Sequence, residues 1–353
     1  MLDKPTVFVI GAGAGFDIGM PLGDDLADLI ASGVSFYYEQ GNLTKGNGYI
    51  ADGLQRMAQH QKTSWESFLL AGRMIAGGIK YTRSIDNYVH AHSDKEAVKT
   101  VAKVAIVQTI LEAESQSAIA INPQLFPPQF REEEKAHQSW LSTFFTMLQD
   151  GIIEAKNLDE IFSNLTIVNF NYDRCVEHYL FYVMQRLYPS KVEGYVAELM
   201  NTTLKVLHPY GSVGNLPWQS KTNAVRFGGE RDGNDLASLS AEIRTYNEEV
   251  DDKRKIEELR KVMAEAKRLV FLGFHFHKQN VELLSPELTE PDLKGTVSIY
   301  GTRVSRSAAD IESIQNVKMR RILHGRTELP SSSYITERGC KELFRDFGGI
   351  LSG

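Results

Sequence analysis

Val7-Phe8-Val9-Ile10 is an apolar run with no charge, the pattern of a strand buried on both faces. The glycine-rich stretch Gly11 to Gly15 follows, and then Leu22, Leu26, Leu29 and Ile30 recur at three- and four-residue spacings, which predicts a helix. From about residue 34 to 150 the helical period dominates. Trp65, Phe68, Leu69 and Gly72 share one helical face, and Val98, Val101, Ala105, Val107, Ile110 and Leu111 mark a long helix. Trp140, Phe144, Phe145 and Leu148 mark another, and Ile121 to Phe130, with Pro123, Pro127 and Pro128, is the break between the two. Arg131 to Lys135 reads as a solvated helix start. Beyond residue 150 apolar strand-like runs return at Leu165–Phe170, Leu204–Leu207, Leu269–Phe274 and Thr296–Gly301. Helices are predicted between them, one from near Asp173 through Val183 and a highly charged amphipathic one from Asp251 to Arg268. Gly211 to Asp235, polar and glycine-rich, is expected as a long mobile loop.

Strands alternating with helical crossovers predict an α/β fold, a doubly wound parallel sheet with a large helical insertion. The expected division is 1–33 as the first part of the sheet domain, 34–150 as the insertion, 151–325 as its remainder and 326–353 as a C-terminal tail. The net charge of −6 argues against nucleic acid as a direct ligand, because phosphate backbones demand a basic face. Cys175 and Cys340 stand far apart, which excludes a cysteine-built zinc module and suits a reducing, cytoplasmic setting. No apolar run approaches the ~20 residues that span a bilayer.

A strand, a glycine turn and a helix can leave backbone N–H groups free to hold a phosphate. Gly11 and Gly13 permit the tight turn and a close backbone approach. An ordinary dehydrogenase fingerprint is not complete: Phe16 stands where the third glycine belongs, and no second strand ends in a ribose-binding acid. In such sheets ligands bind beyond the carboxyl ends of the strands. Those ends carry Gly11-Ala12-Gly13, then Asn171-Tyr172-Asp173, then His208 to Ser212, then Gly273-Phe274-His275-Phe276-His277, then Tyr300-Gly301-Thr302. Simpler roles stay open: Asp173 as a helix N-cap, Asn171 as a turn residue, His208 as a satisfied surface histidine. His275 with His277, and His90 with His92, would each share a strand face, but two ligands without a cysteine cluster make a poor metal site.

Gly11-Ala12-Gly13 with Gly19-Met20-Pro21, Asn171-Tyr172-Asp173, His208 with Gly211-Ser212, and Leu272-Gly273-Phe274 resemble, in order and setting, the motifs of the sirtuin fold. The chain is more closely similar to the sirtuin-like NAD hydrolases of bacterial anti-phage defence, whose helical insertion Ser84-Ile85-Asp86-Asn87-Tyr88 and the helix through Lys103 also resemble. The resemblance covers most of residues 5 to 305. It departs from sirtuin deacylases in lacking zinc cysteines and in placing two residues between His208 and Gly211.

The resemblance implies a sirtuin-like, Rossmann-type fold and cleavage of the nicotinamide–ribose bond of NAD+. Asn171 and His208 would be catalytic, the first positioning water or ribose and the second acting as base. Gly11, Ala12, Gly13, Gly15, Asp17, Pro21, Asp173, Gly273, Phe274 and Tyr300 would hold the dinucleotide, with no metal. It also implies a homo-oligomer, or a partner such as a HerA-type ATPase or an Argonaute-like protein. An NAD- or ADP-ribose-binding regulatory subunit, and a deacylase or ADP-ribosyltransferase, remain the alternative functions.

Overall fold

The computed structural model describes the chain except at residues 1, 62, 123, 126, 151, 153–154, 190–193, 230–234, 247, 249–251, 288–290, 303–307, 329–333, 337–338 and 353. Pro123, part of the glycine-rich segment and Asp251 are thus outside the described residues. Five apolar runs form strands: β1 (Thr6–Ile10), β2 (Leu165–Asn169), β3 (Lys205–Leu207), β4 (Arg268–Leu272) and β5 (Thr296–Thr302). Two short segments, β6 (Thr327–Glu328) and β7 (Tyr334–Thr336), both pair with the outer edge of β5. The order is β3-β2-β1-β4-β5-β6, and every pairing is parallel. That order is the Rossmann-type one, in which the chain runs outward from β1 in one direction and then returns to continue in the other. β1 lies between β2 and β4, and all five residues of β1 and of β4 are buried, which suits the apolar runs that follow Thr6 and Arg268.

The two strands at the reversal end in turns that touch. The Gly11 N–H donates to the Leu272 carbonyl at 2.9 Å and the Gly13 N–H to the Gly273 carbonyl at 3.1 Å. A Cβ on Gly11 would meet the Gly273 oxygen at 2.7 Å, and one on Gly273, whose φ is +55°, would meet the Ala14 nitrogen at 2.1 Å. The glycines are therefore needed where backbone packs on backbone, and the N–H groups of Gly11 and Gly13 are already used. Gly273→Ala is expected to cost about 1–2 kcal/mol for the left-handed conformation alone, with the overlap adding to it. A urea midpoint unchanged from wild type would show that the turns can separate.

Within 326–353, expected as a tail, the described residues add two short strands and a helix to the sheet layer. Beyond β6 and β7, the helix Cys340–Ser352 packs with the helix Trp140–Gln149 against one face of the sheet. Phe8 of β1 lies 5.0 Å from Phe144 and 6.0 Å from Phe344, ring to ring, and Trp140 stacks on Phe344 at 5.9 Å. The buried guanidinium of Arg268 donates to the Leu351 and Ile350 carbonyls at 2.8 and 3.0 Å and pairs with Asp3 at 3.1 Å.

The helical block gathers round Glu96–Gln116, which buries side chains on every face. Helices Gly23–Gly33, Gly48–Gln61, Trp65–Gly78 and Leu236–Glu242 pack on it. Its last turn carries Glu114, fully buried, which receives the Arg174 backbone N–H at 3.0 Å and the Arg174 guanidinium at 3.1 and 2.5 Å. Arg174 also donates to the Val225 and Arg226 carbonyls, while Glu114 accepts from the Gly228 N–H at 3.0 Å. Phe227 stacks on His178 at 3.9 Å and Trp218 on Phe181 at 4.8 Å. The described part of the segment expected as a mobile loop is thus pinned at several points.

Candidate active site

A cavity of about 390 Å³ opens beyond the carboxyl ends of β1, β2 and β4, where the strand order reverses. This is where ligands bind in doubly wound sheets. Of the residues expected to bind or act on a dinucleotide, Gly11, Ala12, Gly13, Pro21, Asn171, Asp173, Gly273 and Phe274 line it. Gly15, Asp17, His208 and Tyr300 do not.

Each of these four has a local explanation. The expected helix near Gly15 is a 3-10 turn, Ala12–Ile18, and the α-helix begins only at Gly23. Gly15 itself packs on Met20, whose Cβ would lie 2.7 Å from an added Cβ. Asp17 lies on the same turn, where burial and then the charge of Glu342 raise its pKa. Tyr300 is a core residue of β5, with its ring 5.5 Å from Phe347.

Asn171 sits in the turn after β2. Its backbone N–H donates to the Asn169 side chain at 3.0 Å, and its own Nδ2 donates to the Gly11 carbonyl at 3.3 Å. The carboxamide is therefore held between two strand ends at the cavity wall. Asp173 stands one residue ahead of Arg174, the N-cap of the helix Cys175–Leu187, and accepts the Cys175 N–H at 3.1 Å. The N-cap role expected for it falls to Arg174 instead, and burial raises the Asp173 pKa.

His208 stands behind Asn171. Nε2 lies 2.8 Å from Glu177 Oε1 and Nδ1 lies 3.2 Å from the Asn171 carbonyl oxygen. A carboxylate and a carbonyl only accept, so both ring nitrogens are satisfied as donors by an imidazolium. Burial opposes that charge, but the Glu177 carboxylate, with the Asn171 carbonyl, overcomes it and raises the pKa. His208 in this arrangement holds the Asn171 backbone, and both of its ring nitrogens are engaged away from the cavity lining. A histidine whose folded pKa lies above its unfolded value stabilises below about 6.5, and that contribution is lost as pH rises through the folded pKa. The stability difference between wild type and His208→Gln is therefore expected to be larger at pH 5.5 than at pH 9. Urea titrations that gave a difference independent of pH would refute the ion pair.

Several cavity residues were not singled out as site residues from the sequence. Arg83, Ser84, Ile85, Asp86 and Asn87, at the start of the helix Ile85–Ala91, form a wall contributed by the helical block. The Tyr172 hydroxyl donates to Asp86 Oδ1, and Asn87 Nδ2 donates to Gln279 Oε1 at 3.0 Å. Tyr210 donates through its hydroxyl to Asn280 Oδ1 at 2.8 Å. Arg83 is exposed at the rim and makes no ion pair among the described residues. Ser84 accepting the Asn87 N–H at 3.2 Å is a cap readable in sequence, but the partner of Asp86 is 86 residues away.

His275 and His277 lie beyond the end of β4, and His90 and His92 belong to a helix and its end, so neither pair shares a strand face. Among the described residues no group of three or more His, Cys, Asp or Glu side chains is placed to hold a metal. No described helix is long and apolar enough to cross a membrane. No protein-family model matches this chain, and no curated protein matches it.

Proposed function

We propose that this chain is a sirtuin-like NAD+ hydrolase that cleaves the nicotinamide–ribose bond to give nicotinamide and ADP-ribose. The observation that carries the reading is the convergence of the β1 and β4 turns, Asn171 and Asp173 on one cavity at the strand-order reversal. Nicotinamide leaves the pyridinium as a neutral base, so the step needs no general acid. Its transition state shares the oxocarbenium character of glycoside hydrolysis. The protein has to hold the ribose, orient water and balance positive charge. Asn171 supplies the polar group for ribose or water, Asp173 a carboxylate for the nicotinamide end, and Arg83 a cation for the pyrophosphate. His208 serves by holding Asn171. Water adds to the ribosyl carbon as the bond to the pyridine nitrogen breaks, and one proton is released.

The resemblance to defence-system hydrolases extends the proposal to an NAD-depleting effector that works as a homo-oligomer or with a HerA-type ATPase. A second reading, a subunit that binds NAD or ADP-ribose without turnover, is favoured by the engagement of both His208 ring nitrogens. Incubating the protein with NAD+ separates the two. Nicotinamide and ADP-ribose in equal amounts support the hydrolase, tight binding without product supports the subunit, and neither binding nor product refutes both.

A further inference from the structure

The helical block contributes two carboxylates to the cavity that the proposed chemistry has not yet used, Asp24, which is exposed, and Asp86, which is half-buried. Asp86 lines the cavity from the first turn of Ile85–Ala91. One carboxylate oxygen accepts the Tyr172 hydroxyl, and no other side chain among the described residues bonds or pairs with Asp86. Its nearest cation along the chain, Arg83, is exposed at the rim and makes no ion pair with it among the described residues. Burial raises the Asp86 pKa, opposed by the Tyr172 hydroxyl and by its own backbone N–H, and the ionised carboxylate in a partly desolvated cavity retains much of its field. It therefore favours a cationic ligand group over a neutral one of the same shape.

We propose that Asp86 sets the charge preference of the cavity, selecting a ligand that carries a pyridinium over its neutral dihydropyridine counterpart. The inference rests on the dinucleotide reading of the site and names its specificity determinant. The Tyr172 hydroxyl orients the carboxylate, and the buried phenol keeps its own proton because burial and the Asp86 charge push its pKa well up. Asp173, which lines the same cavity, spends one oxygen on the Cys175 backbone N–H.

Affinities for three probes test this: carba-NAD+, which keeps the pyridinium but resists cleavage, NADH, and ADP-ribose, which lacks the ring. In wild type carba-NAD+ is expected to bind about tenfold more tightly than NADH, equivalent to about 1.4 kcal/mol. In Asp86→Asn that preference should fall to about one, with ADP-ribose affinity within twofold of wild type, and Asp86→Glu should restore it. Retained ADP-ribose binding certifies that a variant is folded, and Asp86→Ser serves where Asp86→Asn is not. A pyridinium preference that survives removal of the carboxylate overturns the role of Asp86 and leaves the nucleotide site standing. Failure of wild type to bind any of the three overturns the site reading itself.

Discussion

Asn171→Ala is expected to lower nicotinamide release from NAD+ by about 10²–10³-fold, the usual loss when one preorganised polar group is removed from a reacting centre. Its side chain is the one carboxamide in the cavity that bridges two strand ends, through Nδ2 on the Gly11 carbonyl at 3.3 Å. That bond fixes the group before substrate arrives, so no reorganisation is needed in the transition state. The structural cost of the change is small, about 1 kcal/mol for one partly exposed hydrogen bond. Binding and chemistry should therefore separate: ADP-ribose still binds, while turnover falls. Single-turnover assays with labelled NAD+ measure both. An Asn171→Ala protein with wild-type turnover would remove this residue from the proposed mechanism.

The largest expected loss of stability follows Glu114→Ala. Glu114 is wholly buried and meets Arg174, itself 1% exposed, through the backbone and two guanidinium nitrogens. Removing one member of a buried ion pair strands the other charge and typically costs about 3–5 kcal/mol. The thermal midpoint should fall on the order of 10 °C. Replacing both residues, as Glu114→Leu with Arg174→Met, should recover part of the loss because no charge is left unpaired. A single variant within 2 °C of wild type, read by calorimetry, would show that water or a rearranged neighbour compensates Arg174. The pair joins the last turn of the central helix to the turn after β2 and to Val225–Gly228, so its loss should loosen all three together.

The sheet was readable because its strands are buried on both faces and lack charge: Val7–Ile10, Leu165–Asn169 and Leu269–Leu272 differ from their surroundings by composition alone. Their ends were readable too, since turn chemistry follows each strand directly. The reason for the glycines was not. Gly11 and Gly13 resemble a phosphate cradle locally, whereas the contact that demands them is with Gly273, a partner distant in sequence. His208 failed to show its setting for the same reason: Glu177 lies on a helix face that reads simply as amphipathic. Asp86 looks like an ordinary first-turn residue and Arg83 like a surface residue ahead of the N-cap Ser84, and only the packing of the helical block over the strand ends brings them to the cavity. Residues 326–353 carry short strands of two or three residues, too brief for alternation to register.

The wall formed by Arg83 to Asn87 means that any molecule seated in the cavity touches both layers of the fold at once. Occupancy then acts as mortar between them. Amide protons of the helix Ile85–Ala91 would exchange with deuterium more slowly when the cavity is filled, and by reciprocity whatever grips that helix from outside would alter how tightly the cavity holds its guest.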